Sequence, residues 1–517
     1  MNARLWHAMV WPVLVLSAGA WAQQAESCAA LKGFKTPSSE IIKAEITKAE
    51  QIPYGTTVPD LYGPGHSAPI PAYCRVEGVI NRRAGVGGEE FGINFVLALP
   101  KQWNGDFLMQ GGAGSNGIVL PPLGLNAAGD TPGLMRGFAV VSTDTGHASQ
   151  RGFDFGFMRD QQAYLDFAYL ANPEVATLAK QLIAQYYGKV AAFSYFSGCS
   201  TGGREGMILS QRYPAIFDGI ISGDPAMRTG LSNLAIGKWI PVAFNQVAPK
   251  DADGKPIIAQ AISDADRKLI GDALLEKCDA KDGVADGLIS DPLGCDFDPA
   301  VLACKAGQSE SCLSPEKVAA IKKAVGGPKT QGGIQVYPGF LYDTGITASA
   351  PIRGILLPGP GIFGPATTAL EVDVEKEALA EVRPLVDSMS TNLTTFSGHG
   401  GKLIFYHGDS DPWFSPLDTF EYYKDMAAAN GGLEAVSKWS QFYFVPGMGH
   451  CGGGPGLDQF DLLGATVNWV EKGTPPTAII ATGKAFPGRS RPLCPYPKHA
   501  QYKGQGDTED ASNFECR

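Results

Sequence analysis

The sequence predicts an α/β fold: a doubly wound, largely parallel sheet covered by helices on both faces, with a second domain inserted into it. Three observations carry this prediction. Short apolar, β-rich runs alternate with helical stretches at both ends of the chain. Several of these runs are apolar throughout, as parallel strands buried on both faces must be. Between about Asp224 and His399 the alternation fades, and strand-like sequence resumes at Leu403.

The strand candidates are Phe91–Leu99, Phe107–Gln110, Ala139–Thr143, Ala192–Phe196, Gly219–Ser222, Leu403–His407 and Gln441–Val445. Helical patterns cover Asn172–Tyr187 and Gly203–Arg212. The middle stretch is rich in glycine and proline, as in Leu357-Pro358-Gly359-Pro360-Gly361, and carries four of the ten cysteines. It reads as a lid domain, residues 225–399, inserted into a sheet domain of residues 23–224 and 400–517. A length of 517 residues suits such a two-part organisation.

The N-terminus reads as an export signal. Arg4 precedes the apolar run Met9–Leu16, and Ala20-Trp21-Ala22 supplies a small-residue cleavage site before Gln23. The run is shorter than the roughly 20 residues a membrane span needs. Residues 1–22 are therefore set apart from the fold, and a secreted or periplasmic protein is expected. Charged residues make up 18% of the chain and the net charge is -10, which argues against a nucleic-acid partner. No stretch is expected to span a membrane. The sequence leaves the oligomeric state open.

Export makes disulfides the default for the ten cysteines. Close spacing suggests Cys278 with Cys295, Cys304 with Cys312, and Cys494 with Cys516. Cys28 with Cys74 would tether the mature N-terminus. Cys199 and Cys451 remain. No C-x-x-C pair argues for zinc.

The chemistry centres on Gly198-Cys199-Ser200-Thr201-Gly202. A strand runs into this G-x-S-x-G turn and a helix follows, the context of a nucleophile elbow in the α/β-hydrolase fold. The glycines leave room for a strained turn. The N–H of Thr201, at the helix start, is a candidate oxyanion donor. A second donor is expected from Gln110-Gly111-Gly112-Ala113-Gly114-Ser115-Asn116-Gly117, with Gly114 the choice. That loop lacks the G-K-[ST] ending of a phosphate cradle.

A serine needs a base, and the base needs a carboxylate, in the chain order Ser, Asp, His. Of seven histidines, His450 sits in a glycine-rich loop just past a strand, Val445 to Gly453. His66 and His147 precede the serine. His399 and His499 read as surface residues, and His407 as a structural histidine near the acid. Asp409 and Asp411 both follow the strand ending at His407, and local sequence leaves both open. Asp224 also follows a strand, but reads as the entry to the lid.

In the middle of the chain, Asp279, Asp282 and Asp286 are spaced around glycine turns. Their hard oxygens suit Ca²⁺, with the carbonyls of Val284 and Leu288 completing a shell. A solvated acidic turn is the alternative.

Together these motifs resemble the tannase and feruloyl esterase family, over nearly the whole mature chain and including Leu493-Cys494-Pro495-Tyr496-Pro497. The resemblance implies a Cys-Ser, Asp, His-Cys constellation: Cys199-Ser200, Asp411 and His450-Cys451, with a disulfide joining the two cysteines. The family's acid follows H-G-x-x, which selects Asp411 over Asp409. The aspartate turn resembles the family's lid calcium site, so Ca²⁺ is the expected ion. The other pairings resemble the family pattern too. The implied activity is a secreted serine esterase of the feruloyl esterase type, hydrolysing hydroxycinnamic or hydroxybenzoic esters through an acyl-enzyme on Ser200. Gallate esters and mono(2-hydroxyethyl) terephthalate are the alternative substrates in this family. Phe414 resembles an aromatic-substrate contact, whereas Trp413 is expected to pack in the core. Arg353 and Arg383 are candidates to meet a substrate carboxylate, although neither stands in a matching motif.

Two readings of other classes compete. A non-catalytic phenolic- or carbohydrate-binding protein on the same fold predicts a broken triad, and none of the three positions is missing. A metal-dependent hydrolase using the aspartate cluster predicts loss of activity with a chelator.

Overall fold

The computed structural model describes residues 26–47, 50–51, 69–149, 153–349, 353–357 and 367–517. The expected leader, residues 1–22, lies outside them, as do His66 and most of the Leu357–Gly361 run.

One ten-stranded sheet organises the chain. Its strands are β1 (Lys35–Thr36), β2 (Ser39–Ile46), β3 (Tyr73–Ala84), β4 (Glu90–Pro100), β5 (Phe107–Gln110), β6 (Ala139–Thr143), β7 (Ser194–Cys199), β8 (Gly219–Gly223), β9 (Lys402–Gly408) and β10 (Ser440–Val445). They lie in the order β1-β2-β3-β4-β6-β5-β7-β8-β9-β10. β5 to β10 run parallel, and the first four strands add an antiparallel edge. This is an α/β-hydrolase fold, as the sequence predicted. The expected strand Ala192–Phe196 begins at Ser194 and continues to Cys199, so it delivers the chain directly to Ser200.

The parallel strands alternate between two cores. Phe107, Met109, Phe196, Ile220, Leu403 and Phe405 enter one cluster. Leu108, Tyr195, Ile221, Ile404 and Tyr406 enter the other. Both faces are thus apolar, which is why periodicity alone read these strands as continuous runs.

Six helices matter here: α1 (Ala171–Tyr187), α2 (Thr201–Arg212), α3 (Asp264–Cys278), α4 (Pro315–Val325), α5 (Pro416–Ala429) and α6 (Leu462–Lys472). α1 is alanine-rich, has Glu174 in its first turn, and ends at Gly188 with φ 70°. It joins the first core with Val175, Leu178, Leu182 and Ile183. α6 covers the opposite face with Leu462, Leu463 and Trp469. α5 starts on Ser415, whose side chain caps Leu417 N, followed by Pro416.

Between β8 and β9 the chain leaves the sheet. Most of its buried apolar residues, from Leu231 to Leu356, form a third cluster, while Leu288 joins the second core. α3 opens with a capping box of Ser263 and Asp266, and Lys317 of α4 reaches Asp266 at 2.6 Å. The tail folds back as short hairpins. Arg489 donates to the Asp286 carbonyl at 2.6 Å, and Arg491 forms an ion pair with the Asp286 carboxylate, so the tail meets the aspartate turn.

All five expected disulfides are formed: Cys28–Cys74, Cys199–Cys451, Cys278–Cys295, Cys304–Cys312 and Cys494–Cys516. Among the described residues no cysteine is free, and no helix is long and apolar enough to cross a membrane.

Candidate active site

The parallel strands end in register, and that alignment builds the site. Gly223 of β8 pairs with Cys199 of β7 on one side and Tyr406 of β9 on the other. Gly408 of β9 pairs with Val445 of β10. The residues just past these ends therefore converge at one edge of the sheet, where open α/β sheets carry their ligands.

Ser200 occupies the turn between β7 and α2 with φ 65° and ψ -122°, a strained conformation for a residue with a side chain. Its neighbours must be small. A Cβ on Gly198 would stand 2.6 Å from the Gly202 backbone, and one on Gly111 would stand 2.8 Å from Gly202 Cα. Ser200 N donates to Gly223 O, and Ala226 N donates to Ser200 O, each at 3.0 Å. Gly114 has φ 56°, and its carbonyl accepts the Thr201 hydroxyl. The two candidate oxyanion donors therefore flank Ser200.

Two buried residues of α2 that sequence reasoning missed stand behind the site, and one of them, Glu205, braces the Gly114 loop. Glu205 is buried in α2, accepting Gly112 N at 3.0 Å and Asn116 Nδ2 at 2.6 Å. Burial pushes its carboxyl up, and the Arg204 charge and these donors oppose the rise. Arg204 is itself buried and donates to the carbonyls of Ala168 and Phe167, at 3.0 and 3.1 Å.

Asp411 and His450 are both buried, and Asp411 Oδ2 lies 2.6 Å from His450 Nδ1. Asp411 Oδ1 accepts Trp413 N at 2.8 Å and Phe414 N at 3.1 Å. Burial opposes its ionisation, but His450 and His407 outweigh burial and hold the carboxyl below its ordinary value. Asp409, the alternative acid, is buried with both carboxylate oxygens lacking a partner. Burial, with Asp343 and Asp224 nearby, pushes it well above the ordinary value. The disulfide between Cys199 and Cys451 sets the serine turn beside the histidine loop, with Cα atoms 5.9 Å apart.

His407 Nδ1 lies 2.9 Å from Thr419 Oγ1, and its Nε2 lies 3.0 Å from Phe414 O and 3.4 Å from Asp411 Oδ2, so the expected place near the acid is where it sits. Asp224 departs from its expected role. Rather than only opening the inserted segment, it is fully buried among the site residues, within 4.8 Å of Asp411 and His450. His399 is exposed and His499 half-buried, while His147 is buried and stacks on Phe157 at 3.6 Å.

A cavity of about 300 Å³ opens over Ser200, walled by Phe153, Phe155, Phe167, Val386, Trp413 and Phe414. Phe414, the expected substrate contact, lines it. Trp413 lines it too, correcting the expectation that it packs in the core: the Asp411 turn exposes its ring 4.6 Å from that of His450. Arg383 reaches the cavity, with Glu381 at 3.3 Å, whereas Arg353 is exposed and lies outside its walls.

The aspartate turn lines no part of this cavity. Asp279 accepts the N–H groups of Asp286 and Gly287, both at 2.9 Å, and Asp286 accepts Leu288 N at 3.1 Å. Asp282 Oδ2 is buried without a partner. Burial pushes Asp282 up to about 6, and Asp286 and Asp279 add to the rise. The donors are all oxygen and one carboxylate oxygen is orphaned, the chemistry of a hard divalent cation, but Asp286 is paired with Arg491 and the three carboxylates do not converge within 4.8 Å in this structure.

A model of the family described as tannase and feruloyl esterase matches residues 74–355 and 366–517. The chain is 36% identical to a mono(2-hydroxyethyl) terephthalate hydrolase of Piscinibacter sakaiensis, over 87% of this chain and 85% of that protein. It is 30% identical to feruloyl esterase B of Aspergillus niger, over 81% and 82% of the two chains. The crystal structure of feruloyl esterase B from Aspergillus oryzae superposes with a TM-score of 0.75 at 24% identity, covering 96% of this chain and all of that one, a likeness of fold.

Proposed function

The chain belongs to the tannase and feruloyl esterase family, and from that premise we propose that this carboxylic ester hydrolase is a serine esterase acting on esters of aromatic acids. The observation that carries the reading is the Asp411–His450 contact of 2.6 Å, tied by the Cys199–Cys451 bond to a strained serine under an aromatic cavity.

In the proposed reaction His450, oriented through Nδ1 by Asp411, takes the Ser200 proton at Nε2. Ser200 Oγ attacks the ester carbonyl. The N–H groups of Gly114 and Thr201 receive the oxyanion, the latter aided by the start of α2. His450 returns the proton to the departing alcohol. Water then repeats the sequence on the acyl-enzyme and frees the acid.

Phe153, Phe155, Phe167, Trp413 and Phe414 support an aromatic acyl group, with Phe414 and Trp413 nearest His450. Arg383 on the cavity wall favours a second reading, in which the substrate is a half-ester bearing a free carboxylate, as in the Piscinibacter relative. One panel tests both: methyl ferulate, methyl gallate, chlorogenate and mono(2-hydroxyethyl) terephthalate, each with the parent and with Ser200→Ala. Near-parental turnover by the variant would end the serine reading. Preference for the terephthalate half-ester, lost in Arg383→Ala, would establish the second.

We further propose residues 225–399 as a lid over the catalytic domain. Asp279, Asp282 and Asp286, with the carbonyls of Val284 and Leu288, would hold Ca²⁺ there. The ion would offset most of the charge of the three carboxylates and cross-link their turn. The five disulfides support an exported protein.

A further inference from the structure

Asp224 is a carboxylate for which the proposed triad has no use. It follows β8 with φ 35°, an unfavourable conformation for a residue with a side chain, and is completely buried. Its N–H donates to Tyr406 O at 3.0 Å. Oδ1 accepts Gly408 N and Oδ2 accepts Cys451 N, both at 2.7 Å. Gly408 starts the turn that carries Asp411, and Cys451 follows His450. Asp224 is also held close to the nucleophile, because Ser200 N bonds to Gly223 O and Ala226 N to Ser200 O. The side chain of Asp224 therefore bridges the segments that carry Asp411 and His450, and the backbone on either side of it holds the Ser200 turn.

Its charge is placed as deliberately as its hydrogen bonds. His407 Nε2 lies 3.6 Å from Asp224 Oδ1 and 3.4 Å from Asp411 Oδ2, all fully buried. Both His407 nitrogens face acceptors, Thr419 Oγ1 and the Phe414 carbonyl, so the ring can carry two protons. The other ionisable groups acting on this cluster include His450, Asp409, Tyr406 and Tyr337, with Asp343 acting through Asp409; burial holds Asp409, Tyr406 and Tyr337 neutral. With Asp224 and Asp411 ionised and His407 protonated, the resting cluster has one excess negative charge. When His450 accepts the serine proton, that charge is cancelled.

We propose that Asp224 is a positioning residue for hydrolysis: its carboxylate clamps the acid turn to the histidine loop and, with His407, balances the charge that forms on His450. The proposal rests on the serine-esterase reading and goes beyond its triad. A merely structural bridge would hold the loops without touching the proton chemistry, and this difference is measurable.

The test is Asp224→Asn, which keeps the volume but removes the charge and one of the two acceptors. We expect kcat on an aromatic ester to fall by about 30-fold, with KM within about two-fold. The acidic limb of kcat/KM should move to lower pH by about half a unit or more, because the negative charge that favours the imidazolium is gone. Parental kcat overturns the proposal, and so does a lower kcat with an unmoved limb, which marks a bridge and nothing more. Should the variant fail to fold, the low-field imidazole proton of His450 in the parent decides. Its chemical shift should show a second inflection near pH 6, the value to which burial raises Asp224. A single inflection overturns the proposal. Ser200→Ala, run alongside, separates the two levels: if it keeps turnover, the esterase reading falls and takes this proposal with it.

Discussion

Cys199 and Cys451 are bonded across 252 residues of chain, and each is the immediate neighbour of a candidate catalytic residue. The bond fixes the serine turn against the histidine loop, so its removal should cost rate as well as stability. Cys199→Ala with Cys451→Ala should lower kcat by about 100-fold or more, since misplacement near 1 Å carries that penalty. The melting temperature should also fall, by the several degrees expected of a lost native disulfide. A double variant that melts lower but turns over like the parent would limit the bond to stability.

Asp409 and Asp411 stand two residues apart and should behave in opposite ways. Asp411→Asn should lower kcat by about 10⁴-fold, because His450 loses the carboxylate at Nδ1 that orients it. Asp409→Asn should leave kcat near parental, since neither Asp409 oxygen has a partner. Burial raises the folded-state pKa of Asp409 above that of the unfolded chain. The folded state then holds its proton more tightly, and parental stability falls as pH rises from about 4 towards the raised value. Asp409→Asn removes this loss. Its melting temperature should match the parent near pH 4 and exceed it near pH 8, and equal melting at both pH values would refute the assignment.

What could be read from the chain, and what could not, divides by distance along it. Strand positions, the Ser200 turn and the His450 loop are local patterns of glycine and apolar runs, and the structure puts them where those patterns indicate. Choosing Asp411 over Asp409 needed more than local sequence, because both follow the same strand. Asp224 was misjudged because its partners, Gly408 and Cys451, come from elements 184 and 227 residues away. The register that brings them together leaves no trace in periodicity. Glu205 was missed for the same reason, since a buried glutamate in a helix looks like any surface one until its partners are known. Trp413 was misplaced because apolar character does not distinguish a cavity wall from a core.

Calcium should bear on stability before activity, since the aspartate turn lies outside the cavity walls. The turn also meets the tail through Arg489 and Arg491, so loosening it loosens two parts of the chain. Adding EGTA should lower the melting temperature by several degrees while kcat at 25 °C stays within about two-fold. Asp282→Asn should abolish this response, because Asp282 carries the orphaned oxygen. A melting curve indifferent to EGTA and restored calcium would leave a solvated acidic turn. Immediate loss of turnover at a temperature where the fold persists would revive the metal-dependent hydrolase.

Glu205 should report on the oxyanion side of the site. Its carboxylate holds Gly112 N and Asn116 Nδ2, two anchors of the loop that presents Gly114. Glu205→Gln keeps one acceptor for Gly112 but turns a donor towards Asn116, which already offers a donor. The loop should shift, and the Gly114 N–H should lose its aim at the developing negative charge. Since that interaction strengthens in the transition state, the loss should appear in kcat, at about 10-fold or more, with KM little changed. A boronic-acid or phosphonate transition-state mimic should weaken in parallel, while a simple aromatic acid competing for the cavity should bind as before. Weaker binding of both would show that Glu205 supports the cavity as a whole and not the oxyanion loop in particular.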